Sequence, residues 1–212
     1  MNSPKKKWDA RDIAYCSNVH AGESAAQICE NLRHYIEPVR QQRGLASMAT
    51  GLWISASAAR ELKSPQLLTE FQQALESSGL QLTSINGFPY GGFHQQEVKA
   101  KVYLPDWSDQ ARLRYTKDLA DILAACLPDD CDCGAISTLP LGYKRHWSSA
   151  KQRMSIAHLS ILMQYLDKLY QRTGKKILVC LEMEPDCVLE SSVELVDFFQ
   201  NQVQPHILNH QY

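Results

Sequence analysis

An α/β fold of five consecutive strand–helix units is what this sequence predicts, and three observations carry it. Short apolar or β-branched runs alternate five times with longer segments of helical spacing, glycine and proline punctuate the joins, and polar residues collect where the strands end. Composition permits such a fold, since 44% of the residues are hydrophobic and 21% charged, as in an ordinary globular chain.

The first strand is expected over residues 13–20, with Gly22-Glu23-Ser24 opening a helix. In that helix Ile28, Leu32, Tyr35, Ile36 and Val39 recur at three- and four-residue steps, and Gly44 supplies a C-terminal stop. The second strand falls at residues 52–54. Ser64 can cap the helix that follows, Pro65 suits its first position, Leu68, Phe71 and Leu75 form its buried face, and Gly79 closes it. Residues 80–86 make the third strand and lead into a long loop, 87–105, rich in glycine, proline and aromatics, the kind of loop that carries function. Ser108 is the cap expected for the third unit's helix, with Leu119, Ile122, Leu123 and Cys126 on one face and Pro128 as its stop.

The fourth strand, 135–139, precedes a helix with Ile156, Leu159, Met163, Leu166 and Tyr170 at seam spacing, broken at Gly174. The fifth, 177–184, precedes a helix presenting Val193, Val196, Phe199 and Val203 before Pro205. No repeat or linker divides the chain. Residues 1–10, with the run Lys5 to Lys7, read as a flexible N-terminus, 11–204 as one domain and 205–212 as a tail.

Five such units fit an open doubly wound sheet or part of an eight-unit TIM barrel. A dinucleotide-binding sheet would open with G-x-G-x-x-G after its first strand; here stand Cys16-Ser17-Asn18-Val19-His20. Asn18 and His20, Asn86, Ser137 and Thr138, and Glu182 and Glu184 instead gather at C-terminal strand ends, where barrel sites assemble. The reading is therefore an incomplete TIM barrel.

Side chains alternate along a strand, so Leu178, Cys180, Glu182 and Glu184 share one side of the fifth. Two converging carboxylates call for a cation, an arginine or a proton, and a hard divalent metal (Mn²⁺, Mg²⁺ or Zn²⁺) is a natural partner. The alternative is structural, with Glu182 bonded to a neighbouring group and Glu184 in water. His20 is equally a ligand, a proton carrier or a structural donor. Asn86 and His94 lie in or beside the long loop, and Lys99, Tyr103 and Asp106 follow as candidate contacts for a polyol or phosphate.

Lys plus Arg (22) nearly equals Asp plus Glu (23), which removes the field a nucleic-acid binder needs. No run of about 20 apolar residues and no secretory h-region occur, so membrane insertion is not expected and the chain reads as cytoplasmic. The seven cysteines suit reduced thiols, and the pair Cys131 and Cys133 lacks a partner pair at zinc spacing. G-x-S-x-G and P-loop signatures are missing.

Four blocks carry a family resemblance: Ser17-Asn18-Val19-His20-Ala21-Gly22-Glu23-Ser24; Asn86-Gly87-Phe88-Pro89-Tyr90-Gly91-Gly92-Phe93-His94 with its continuation through Val102-Tyr103-Leu104-Pro105-Asp106-Trp107; Ile136-Ser137-Thr138-Leu139-Pro140-Leu141-Gly142; and Leu181-Glu182-Met183-Glu184-Pro185-Asp186-Cys187. Together they resemble the EboE family of metabolite traffic proteins. The resemblance implies a xylose isomerase-like TIM barrel, related to sugar phosphate isomerases and epimerases, that handles a small secondary-metabolite precursor beside other proteins of its gene cluster, membrane components included. It also implies Glu182 as the principal metal ligand and Glu184 as a second ligand or base. His20 and His94 would then contact substrate. The sequence departs from the family at Met183, where a proline is expected, and at its C-terminus, where family chains continue. The expectation is a truncated chain in which metal binding is weak or absent, acting either as an isomerase, epimerase or lyase or as a non-catalytic carrier.

Overall fold

The computed structural model describes residues 13–92, 101–131 and 133–208. Five strands form one sheet in the order β1-β2-β3-β4-β5: β1 Tyr15–Cys16, β2 Met48–Trp53, β3 Leu80–Asn86, β4 Cys133–Thr138 and β5 Lys176–Leu181. Every neighbouring pair is parallel. Sequential order in an all-parallel sheet is the plan of a β/α barrel, whereas doubly wound sheets reverse direction at a switch point. The chain is thus an α/β protein with the five-unit partial-barrel architecture that its sequence predicts.

The strand boundaries moved. β1 keeps two residues, because Ser17–Val19 turn into a 3₁₀ helix. β2 begins at Met48, four residues earlier than the apolar run suggested, since Met48, Thr50 and Leu52 bury one face. β3 holds an extra residue opposite the Thr50–Gly51 step of β2, a bulge that brings Ser84 level with Gly51.

Among the helices, α1 (Ala25–Asn31) starts in a reciprocal box in which Ser24 Oγ accepts from Gln27 N and Gln27 Oε1 accepts from Ser24 N. It continues through a π turn, Leu32–Ile36, into α2 (Glu37–Gln42). A short α3 (Ala56–Glu61), capped by Ser55, was not foreseen; its alanines give no strong apolar stripe. α4 (Pro65–Ser77) follows Ser64, which holds the N-cap position without a capping side-chain hydrogen bond, and Gly79 lies beyond it at φ +63°. α5 (Gln110–Cys126) is capped by Asp109, whose Oδ1 accepts from Ala111 N; Ser108 instead donates to Asp106, so the expected cap is one residue early. In α6 (Ser149–Thr173) Leu169 takes the buried place given to Tyr170, which is exposed.

The last helix runs as α7 (Ser192–Phe198), a π turn Phe199–Val203 and α8 (Gln204–Leu208). Pro205 does not end it. Like Pro38 in α2, Pro205 is the second residue after a π turn. Of the predicted stripe only Val203 is buried, with Phe198 beside it, while Val193 and Val196 face solvent. Residues 1–12 and 209–212 lie outside the described residues.

Candidate functional site: a cleft at the strand ends

One face of the sheet is covered by helices and apolar; the other carries mostly small or polar residues at the strand ends, with Leu178 exposed beside them. The rung Gly51, Ser84 and Ala135, joined by strand pairing, floors a cleft of about 540 Å³. The next rung, Asn86, Ser137 and Cys180, leads to its C-terminal rim. A side chain on Gly51 would put its Cβ 2.7 Å from Ser84 Oγ, so glycine keeps the floor open.

Two carboxylates stand on this rim. Glu182 N donates to Thr138 O (2.9 Å), which carries the β4–β5 pairing one residue past β5 and fixes the direction of the Glu182 side chain. Glu182 is half-buried; burial raises its pKa, a hydrogen bond from Ser137 opposes the rise, and the charge of Glu184 adds to it. Glu184 accepts a hydrogen bond from Tyr103 Oη at 2.7 Å. Burial first, and then that bond, push the Tyr103 phenol far above its ordinary range, so it remains a donor. A tight turn closes behind, with Cys187 N donating to Glu184 O and Glu184 N to Leu189 O.

The opposite wall comes from the segment after β3. Asn86 Oδ1 accepts from Phe88 N (2.9 Å), and Gly87 N donates to Ser137 O (2.9 Å), turning the chain across the sheet. Arg112 then clamps both ends of the long loop. It is fully buried, donating from Nη1 to Gly87 O (2.7 Å) and from Nε to Pro105 O (2.9 Å), while its guanidinium lies 5.7 Å from the Tyr90 ring and 5.5 Å from that of Tyr115. Burial lowers its pKa to about 10, still a cation at neutral pH. Trp53 Nε1 holds Pro89 O, and Glu23 Oε1 accepts from Gly92 N.

The structure brings Asn18, Asn86, Tyr103, Glu182 and Glu184 to the one cleft. His20 does not line it: the imidazole stacks on Tyr35 (4.3 Å between centroids) and takes part in a 2.7 Å hydrogen bond with Tyr15 Oη, because the 3₁₀ turn after β1 swings residue 20 away from the sheet interior. Asp106 is also elsewhere, buried and paired with Lys151 Nζ (2.6 Å) and Ser108. His94 and Lys99 lie outside the described residues. Sequence reasoning missed Arg112, whose single signal was a charge inside an apolar helical face, and the small floor residues, which stood out only once the register was known.

Glu182 and Glu184 would be the residues to hold a divalent metal. Among the described residues no group of three or more His, Cys, Asp or Glu side chains is placed to complete such a shell, and the donor set at the rim stays at two carboxylates. No helix among the described residues is long and apolar enough to cross a membrane.

Comparison with known proteins places few constraints. No family model matches the chain, and no curated protein does. Among solved structures the chain is similar to a xylose isomerase domain protein from Planctomyces limnophilus, with 15% identity and a TM-score of 0.49, over 77% of this chain and 52% of that one. The chain therefore spans about half the length of that protein.

Proposed function

We propose that the chain binds a small hydroxylated metabolite in the strand-end cleft, as a barrel protein akin to the EboE metabolite traffic family. One observation carries this reading: each of the four sequence blocks behind that resemblance sends a residue to the same cleft. Asn18 comes from the first, Asn86, Phe88 and Tyr103 from the second, Ser137 from the third, and Glu182 and Glu184 from the fourth. Amide, hydroxyl and carboxylate groups that converge beside an aromatic wall suit a ligand with many hydroxyls and a small apolar face. In this reading the protein works in the cytoplasm and passes its ligand to partners, membrane components among them.

A second reading, an isomerase or epimerase, is favoured by Glu182 alone. A half-buried carboxyl with a raised pKa at a cleft wall is suited to move a proton to or from a bound hydroxyl or α-carbon. A divalent metal bound at Glu182 and Glu184 would polarise a carbonyl. Among the described residues no third ligand joins these two carboxylates, and no step is assigned to a metal.

Saturation-transfer NMR with a panel of linear polyols and sugars tests the first reading. The expected result is binding by the wild type that Ala135→Leu, which fills the cleft floor, weakens by about tenfold or more. Binding untouched by Ala135→Leu would place the ligand elsewhere. Appearance of an isomerised product, lost in Glu182→Gln, would move the reading to an enzyme.

A further inference from the structure

We infer that the ligand of this cleft is an organic cation, a polyhydroxylated amine whose ammonium group sits between the two rim carboxylates and the aromatic wall. The inference rests on the cleft being the ligand site, as proposed above, and narrows the class of molecule it takes.

The argument is one of charge. Glu182 and Glu184 face the same cleft, and no Lys, Arg or His stands among its described lining residues. Among the described side chains, three cations near the cleft are engaged elsewhere. Lys144 pairs with Glu190, Lys151 with Asp106, and Arg112 spends two donors on the carbonyls of Gly87 and Pro105. Two carboxylates partly removed from water with no counter-charge among the described lining residues favour a positive ligand, and they repel a phosphate.

A second feature, independent of the carboxylates, points the same way. Phe88 and Tyr103, which both line the cleft, stand with ring centroids 5.5 Å apart, so the rim beside Glu184 is aromatic. Ring faces attract an ammonium ion and gain nothing from a phosphate. Tyr103 also donates to Glu184 Oε2, which leaves the other oxygen, Oε1, to accept from the ligand. The hydroxyls of such an amine would then meet Asn18, Asn86, Ser84 and Ser137, the polar groups farther along the same cleft.

Three matched probes separate the possibilities: glucamine (1-amino-1-deoxysorbitol), sorbitol and sorbitol 6-phosphate, each titrated calorimetrically at neutral pH into the full chain. Glucamine is expected to bind about tenfold more tightly than sorbitol, and the phosphate ester more weakly than either. The double variant Glu182→Gln, Glu184→Gln should erase the preference for the amine over sorbitol, with an unchanged circular dichroism spectrum and urea unfolding midpoint showing that the variant is folded. Sorbitol binding without a preference for glucamine overturns this inference alone. So does a preference for the phosphate ester, or an amine preference that survives the double variant. Mn²⁺ that binds and displaces glucamine would assign the carboxylates to a metal and overturn it as well. If none of the three probes binds, the ligand-site reading fails together with the inference.

Discussion

Residues 135 and 136 are neighbours in β4, yet they belong to two different environments. Ile136 is completely buried in the larger apolar cluster, between the sheet and the helices. Ala135, pointing the other way, is partly exposed on the cleft floor. The same division runs along the sheet: Leu52, Leu82 and Ile177 are buried on the helix side, while Gly51, Ser84 and Cys180 line the cleft. The interior of a TIM barrel is usually filled with layers of bulky branched side chains. On this inner face at the strand ends they are replaced by small or polar ones. The buried apolar residues of these strands lie on the outer face, and the inner face is open at the strand ends.

The sharpest test of that division is Ile136→Ala. It removes three buried carbons from a site that closely packed helices prevent from collapsing, and should cost about 2–5 kcal/mol in urea unfolding. A loss below about 1 kcal/mol would mean that the outer face is not the stabilising one.

Glu182→Gln should have a smaller effect, visible as a change in pH dependence. Folding raises the Glu182 pKa above its ordinary 4.5, so in the window just above that value the folded state binds more protons than the unfolded. Stability contributed by the protonated form is therefore present below the unfolded pKa and is lost as pH rises through the folded one. The glutamine variant should lack this decline, while unfolding curves of the wild type recorded across the window should show it. Because the side chain is only partly buried, the difference is expected to be modest. Parallel pH profiles for the two proteins would refute the assignment.

Much of this was legible in the sequence. Alternation expected along residues 177–184 put Glu182 and Glu184 on one side; both do line the cleft, although β5 ends at Leu181. The run of polar strand ends separated a barrel from a dinucleotide-binding sheet. The rest depended on geometry that periodicity does not encode. His20 follows Asn18 by two residues, which in a strand would put both on the same face; the 3₁₀ turn Ser17–Val19 breaks that parity and sends the imidazole to Tyr15 and Tyr35. Asp106 looked free for a ligand because its partner Lys151 is 45 residues away. The bulge in β3 set which residues of two strands share a rung, and so placed Gly51 and Ser84 together. Pro205 read as a stop because a π turn, which lets proline follow inside a continuous helix, has no sequence signature of its own.

The smallest effect is expected on the other side of β4. Ala135→Ser adds one hydroxyl to a position that already faces the cleft, where the new group can bond water and no neighbour has to move. Stability should stay within about 0.5 kcal/mol of wild type, as for ordinary solvent-facing substitutions. Ile136→Thr places a hydroxyl one residue further along, in a fully buried apolar setting, where an unsatisfied group costs about 1–3 kcal/mol beyond the lost packing. Chemical denaturation of this pair measures the same functional group on the two sides of one strand. Equal losses would mean that the cleft floor is closed to water in solution, and the open inner face on which ligand binding depends would have to be given up.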